Sequence, residues 1–158
     1  MLFDNVNKLD APLDSDNSAN SQDSSGLDNL DIDKIEIFNF DKKTFICKCI
    51  DVYDGDSITV VFSLFNKYYK FKIRLAGIDT PEIRTKNPDE KKQGIISRDF
   101  LRSKILNKIC KLECRKNDKY GRILSYVYIN DENINELLIT KNYAVSYDGG
   151  TKKPFKMT

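Results

Sequence analysis

The stretch KYYKFKIRLA, residues 67–76, alternates strictly. Tyr69, Phe71, Ile73 and Leu75 fall on one face, and Lys70, Lys72 and Arg74 fall on the other. A period of two with one apolar face is the pattern of a half-buried β-strand. Its second face is a short basic stripe that ends at Arg74. Working outward, TFICKCIDVY (44–53) is rich in strand formers, and SITVVFSL (57–64) follows a DGD turn. Residues 65–67 form the hairpin loop between the second strand and the third. Beyond the stripe, IRTKNPDEKKQG (83–94) is polar, with a proline and a glycine, and reads as an exposed loop. IISRDFLRSKILNKI (95–109) places Ile96, Phe100, Ile105 and Ile109 at roughly helical spacing. Residues 109–115 and 122–129 read as two further strands. NINELLITKN (133–142) reads as a short amphipathic helix with Asn142 as a left-handed cap. Three strands, a helix, two strands and a helix predict a mainly β fold with helices, a five-stranded barrel of the OB type carrying two to three α-helices. A flat α+β sandwich is the alternative.

The chain has 158 residues, 40% of them hydrophobic and 32% charged, which suits one domain of ordinary size. No apolar run is long enough to span a membrane. Residues 1–15, MLFDNVNKLDAPLDS, show neither a basic nor an apolar leader segment, so an intracellular, cytoplasmic location is expected. Residues 1–43 hold ten Asp and Glu against four Lys and Arg, a net of −6, while residues 44–158 carry a net of +8. The segment DSDNSANSQDSSG (14–26) has almost no apolar content and is expected to be disordered. The expected organisation is an acidic, Asp-, Asn- and Ser-rich disordered tail over residues 1–40 and a folded domain over 41–158, with IDKIEIFNF (32–40) adding a strand or packing on the body. A basic body points to a polyanionic partner, although a basic solvated surface has the same composition.

The four cysteines occur as Cys47-Lys-Cys49 and Cys110-Lys-Leu-Glu-Cys114. Neither pair has CxxC spacing and both lie in strand-like sequence, which favours reduced structural thiols over zinc ligands.

Three short elements carry the chemistry. In Asp54-Gly55-Asp56, the glycine serves a turn through its backbone freedom, or an aspartate ligates a hard cation. In RLAGIDTPE (74–82), Pro81 disfavours helix through Thr80, so Asp79 and Glu82 sit on a turn at a strand end. That turn is either simply solvated or supplies oxygen ligands, which suit Ca²⁺ or Mg²⁺ rather than zinc or iron. The sequence has no histidine, so proton transfer would fall to a carboxylate or water. DKYGR (118–122) is either ordinary hairpin sequence or the bearer of a second arginine for an anionic, phosphate-like substrate.

Taken together, DGDS (54–57), RLAGIDTPE (74–82), the helix ending near Ile109, NDKYGRILSYVY (117–128), NINELLI (133–139) and YAVSY (143–147) closely resemble the staphylococcal nuclease (thermonuclease) family in order and spacing. The resemblance covers about residues 44–148. It implies a five-stranded OB-type barrel that hydrolyses phosphodiesters with Ca²⁺. It places the metal on Asp56, Asp79 and the carbonyl of Thr80, the catalytic set on Arg74, Glu82 and Arg122, and the nucleotide on Lys119, Tyr120 and Tyr147. The family's type member has a second tyrosine where this chain has Gly149, and a C-terminal helix where this chain reads GGTKKPFKMT (149–158). The expected activity is a monomeric, Ca²⁺-dependent endonuclease cutting DNA and RNA with little sequence preference. A non-catalytic nucleic-acid or protein-binding module of the same fold is the alternative.

Overall fold

The computed structural model describes residues 24–150. By internal contacts the chain divides into residues 1–37 and 38–158. In the first unit, two 3-10 turns form, Ser24–Gly26 and Ile32–Lys34. The disorder expected for 14–26 otherwise falls outside the described residues, as does most of 149–158.

In the second unit, β1 (Thr44–Val52), β2 (Ser57–Leu64), β3 (Lys67–Leu75), β5 (Ile109–Asn117) and β6 (Ile123–Ile129) form one sheet. Two-residue strands β4 (Ile78–Asp79), β7 (Glu132–Asn133) and β8 (Val145–Ser146) are added to it and around it. Helices α1 (Pro88–Ile105) and α2 (Ile134–Thr140) complete the set. The main strands pair antiparallel in the order β3-β2-β1-β5-β6. A parallel ladder then joins β3 to β6, with Ile73 facing Ile123, Arg74 facing Leu124 and Leu75 facing Ser125. That ladder closes a five-stranded barrel of the OB type. The β2–β3 hairpin turns at Phe65 and Asn66, both at positive φ, as a two-residue turn requires.

Alternation works as the sequence predicts. Ile73 and Leu75 point inward and are fully buried, while Lys70 and Lys72 stay exposed. Cys49, Val60, Leu112, Cys114 and Val127 fill the interior beside Leu101, Ile105 and Leu138 from the helices. At one end of the barrel, Phe45, Phe62 and Phe71 stack in series, at centroid separations of 4.3 and 3.9 Å. Phe40 meets all three rings edge-on. Residues 38–40 thus pack on the barrel without forming a strand.

Two expectations need correction. Residues 88–94 are not loop but the first turns of α1. Pro88 stands at the helix start, where its missing N–H costs nothing, and the Asn87 side chain accepts from the backbone N–H groups of Asp89 and Glu90. The helix also ends at Ile105, and its buried face is Gly94, Ser97, Leu101 and Ile105. Ile96 is 39% exposed, and Ile109 starts β5 at 62% exposed. α2 lies where expected, capped by Asn133 and followed by Asn142 at φ 62°.

Candidate active site

Closing the barrel brings the first two motifs to the third. Arg74 lies on the outer face of β3, and Arg122 immediately precedes the residue that faces Ile73. The DGD turn leads into Ser57, which pairs with Arg74 across β2 and β3. β4 and β8 pair through Ile78–Ser146 and Asp79–Val145. This short ladder, with the Tyr147 N–H donating to the Gly77 carbonyl at 2.9 Å, carries Tyr147 to the same place. The result is a cleft of about 910 Å³, lined among others by Asp56, Arg74, Thr80, Glu82, Lys119, Tyr120, Arg122 and Tyr147. Asp79 is buried at its wall and bonds Arg74. All nine residues singled out in the sequence therefore converge.

The centre is a hydrogen-bonded chain. Arg74 Nη1 lies 2.5 Å from Asp56 Oδ2, and Nη2 donates to Asp79 Oδ1 and to the Ile78 carbonyl, both at 3.2 Å. Ser57 Oγ donates to Asp56 Oδ1 at 3.2 Å and accepts from Arg122 Nη1 at 3.1 Å. Arg122 Nε donates to Asp118 Oδ2 at 2.6 Å. Asp118 also accepts from the backbone N–H groups of Tyr120 and Arg122, so one carboxylate shapes the DKYGR turn and aims its arginine.

Burial opposes charge at all three groups, and their partners decide the outcome. Burial pushes the Asp56 carboxyl up to about 6; Arg74 pulls the other way, and Asp54 and Asp79 add to the rise. Burial also works against charge on Arg74, but Asp56 and Asp79 outweigh it and hold the guanidinium more firmly protonated than usual. Asp118 is partly desolvated, yet its hydrogen bonds from Arg122 and Tyr120 lower it overall.

Gly55 is at ordinary φ, so backbone freedom is not its role. A Cβ there would meet Thr80 Oγ1 at 2.8 Å and Ser97 Cβ at 2.9 Å. The glycine lets the DGD turn press against the DTPE turn and α1. Gly94 does the same from the helix, where a Cβ would meet the Pro81 carbonyl at 2.6 Å. Glu82 is exposed at the rim of the cleft, its backbone N–H 3.4 Å from Glu90 Oε1. Tyr120 is 73% exposed, with Lys119 Nζ and Arg122 Cζ 5.1 and 5.6 Å from its ring centre. The Tyr147 ring centre lies 6.0 Å from Arg74 Cζ.

Sequence reasoning missed Ser57, Asp118 and Asn135. Asp118 stands four residues before Arg122, a spacing that pairs side chains on a helix; here the tight turn with Gly121 at φ 79° brings them together. Asn135 on α2 is buried, accepts from Val127 N–H and donates to the Ala76 and Ser125 carbonyls, fastening the helix to the closing ladder. No local pattern marks that role. Among the described residues, no three His, Cys, Asp or Glu side chains converge as a ready-made metal site, and the four cysteines are free and buried.

The structure is thus a closed OB-type barrel with paired arginines and carboxylates in one cleft. The chain matches the staphylococcal nuclease homologue family over residues 72–157, more than half its length, and belongs to that family. It is 35% identical to a thermonuclease of Staphylococcus hyicus, over 67% of this chain and 60% of that protein. It is 34% identical to an uncharacterized protein of Methanocaldococcus jannaschii, over 63% of this chain and 58% of that one. Endonuclease YncB of Bacillus subtilis is 33% identical, over 58% of this chain and 43% of its own length. The chain thus spans between 43% and 60% of the length of these curated relatives. No helix among the described residues is long and apolar enough to cross a membrane.

Proposed function

We propose that this chain is a Ca²⁺-dependent endonuclease that hydrolyses phosphodiester bonds of DNA and RNA with little sequence preference. The observation that carries this reading is the hydrogen-bonded chain from Arg122 through Ser57 and Asp56 to Arg74, with Glu82 on the rim of the same cleft. Asp56 and Asp79 flank one guanidinium, and Thr80 lines the cleft beside them. Hard oxygen donors of this kind fit Ca²⁺, with water and substrate oxygens completing the shell. When bound, the cation supplies electrophilic stabilisation of phosphoryl-oxygen charge.

The chain's own residues do the rest. Arg74 and Arg122 approach the cleft from β3 and from the start of β6. Their planar donors suit a phosphoryl group bidentately and act where charge grows in the transition state. Asp118 and Ser57 hold Arg122 in place before substrate arrives, which limits reorganisation. Glu82, in solvent contact, is suited to orient water and accept its proton. Lys119 adds ground-state attraction for phosphate, while the Tyr120 and Tyr147 rings offer surfaces for sugar and base.

The test is incubation of plasmid, linear single-stranded DNA and RNA with the purified chain in Ca²⁺, Mg²⁺ and EDTA. Cleavage with Ca²⁺ and none in EDTA is expected. Binding by gel shift without cleavage in any metal would favour the non-catalytic module.

A further inference from the structure

Leading away from the cleft, the outer face of the barrel carries a line of unused positive charge. Alternate residues of β3 place Tyr68, Lys70, Lys72 and Arg74 on one side. Same-face neighbours on a strand are about 6.8 Å apart, so Lys72, Lys70 and Tyr68 stand at about 7, 14 and 20 Å from Arg74. Across β2, Lys70 faces Val61, and Val61 in turn faces Lys48 on β1. Lys48 therefore lies beside Lys70 on the same face, about 10 Å away across two strand spacings. Lys48, Lys70 and Lys72 are exposed, and none has an ion-pair partner among the described residues. Asp51, which faces Thr59 as Lys72 does, offsets part of the charge at that rung. Tyr68 is 80% exposed at the far end of the line, and Phe65 on the hairpin tip is 79% exposed.

Lysines about 7–10 Å apart, none with an ion-pair partner among the described residues, repel one another weakly through solvent. A large exposed aromatic beside them adds nothing to the core. Both features suit a bound polyanion with flat apolar groups. We propose that this face is a track for the single-stranded nucleic acid that flanks the cleaved bond, with Lys72, Lys70 and Lys48 on successive phosphates and Tyr68 stacked on an unpaired base. The inference rests on the proposed reading of the cleft only for where the strand begins. Continuity supplies the direction, since Arg74 is both the last residue of the line and a wall of the cleft. A single strand rather than a duplex is assigned because a stacking ring needs a base with a free face.

The test measures binding apart from cleavage. Fluorescence anisotropy in EDTA would follow labelled single strands of about 12 and about 3 nucleotides binding the full chain. The Lys48→Gln/Lys70→Gln/Lys72→Gln variant should bind the long strand at least about tenfold more weakly at low salt. Its log-affinity against log-salt slope should fall by about 2, that is about 0.7 for each of three lost phosphate contacts. Affinity for the short strand should be kept, and Tyr68→Ala should weaken the long strand without changing the slope. Unchanged slope and affinity in the triple variant would overturn the track. Tighter binding of a duplex of equal length, unaffected by Tyr68→Ala, would overturn its assignment to a single strand. Cleavage with Ca²⁺, measured separately on the wild type, reports on the cleft; its absence would count against the nuclease reading and not against the track.

Discussion

Arg74 and Asp56 form the tightest ion pair of the cleft, Nη1 to Oδ2 at 2.5 Å, with both side chains largely buried. The same guanidinium bonds Asp79, the other carboxylate assigned to the cation. Arg74 and a bound cation therefore compete for the same negative charge. Asp56 and Asp79 would hold the cation, and Arg74, relieved of both partners, would then be free to turn its fork toward substrate oxygens. Two unit charges about 4 Å apart interact by about 4 kcal/mol at an effective dielectric near 20, and about 1.4 kcal/mol is tenfold in affinity. Arg74→Gln should thus bind Ca²⁺ at least about tenfold more tightly at pH 8 while losing activity. Calorimetric titration checks it; weaker Ca²⁺ binding would break the link between the two.

Arg74→Lys and Arg122→Lys should each lower kcat by about 10²-fold or more, because lysine keeps the charge but not the planar fork. Binding of uncleaved substrate should change much less. Lys119→Ala should raise KM with kcat nearly kept. Steady-state kinetics on a short fluorescent oligonucleotide would show the contrast, and near-normal kcat in both arginine variants would remove the phosphate clamp.

Burial raises Asp56 from about 3.8 to about 6. A raised carboxyl holds its proton more tightly in the folded state. Its contribution to stability is fully present below pH about 4 and is lost as pH rises through about 6. In the metal-free protein, acidification across that window should stabilise the wild type relative to Asp56→Asn in urea melts. Ca²⁺ requires the ionised carboxylate, so its affinity should fall as pH drops below about 6, with proton uptake by the protein on metal release. Calorimetry in buffers of different ionisation enthalpy measures that proton; a pH-independent affinity would take Asp56 out of the metal site.

Gly94→Ala should be destabilising although it lies inside a helix. Alanine gains about 1 kcal/mol in helix propensity, but overpacking against backbone costs about 1–3 kcal/mol, for a net loss of up to about 2 kcal/mol. The clash falls on the Pro81 carbonyl, so the Glu82 turn must shift. Activity should fall more than stability alone explains, and chemical denaturation beside kcat separates the two effects.

Burial pushes the Cys49 thiol up to about 12, and all four cysteines are sealed in the barrel. A thiol reagent at pH 8 should modify none of them in the native protein and all four in denaturant. Rapid native labelling would show that the barrel opens far more readily than its packing implies.

Much of this protein was legible in its residues. Strict alternation in 67–75 marks β3 and its basic face, because a strand has only two faces and only one can be buried. The motif residues stood out only in combination, because Asp and Gly in any one turn are ordinary turn chemistry. The start of α1 was misread because Pro88 and Gly94 act as breakers in isolation. In the fold, the proline begins the helix and the glycine admits a neighbouring carbonyl. The facing of α1 depended on what lay beneath it, so Leu101 and Ser97 were buried where Ile96 and Ile109 had been expected.

By itself the sequence determined which segments extend, which coil, and which groups are available for chemistry, because these follow from local sterics and the periodicity of apolar residues. Only the tertiary structure decided that Arg74, Asp56, Arg122 and Tyr147 meet. Their meeting depends on the parallel ladder of β3 with β6 and the short ladder of β4 with β8. Those pairings join residues far apart in the chain, and they form because closing the barrel buries Ile73, Leu75 and Ile123 together, a gain that no single segment records.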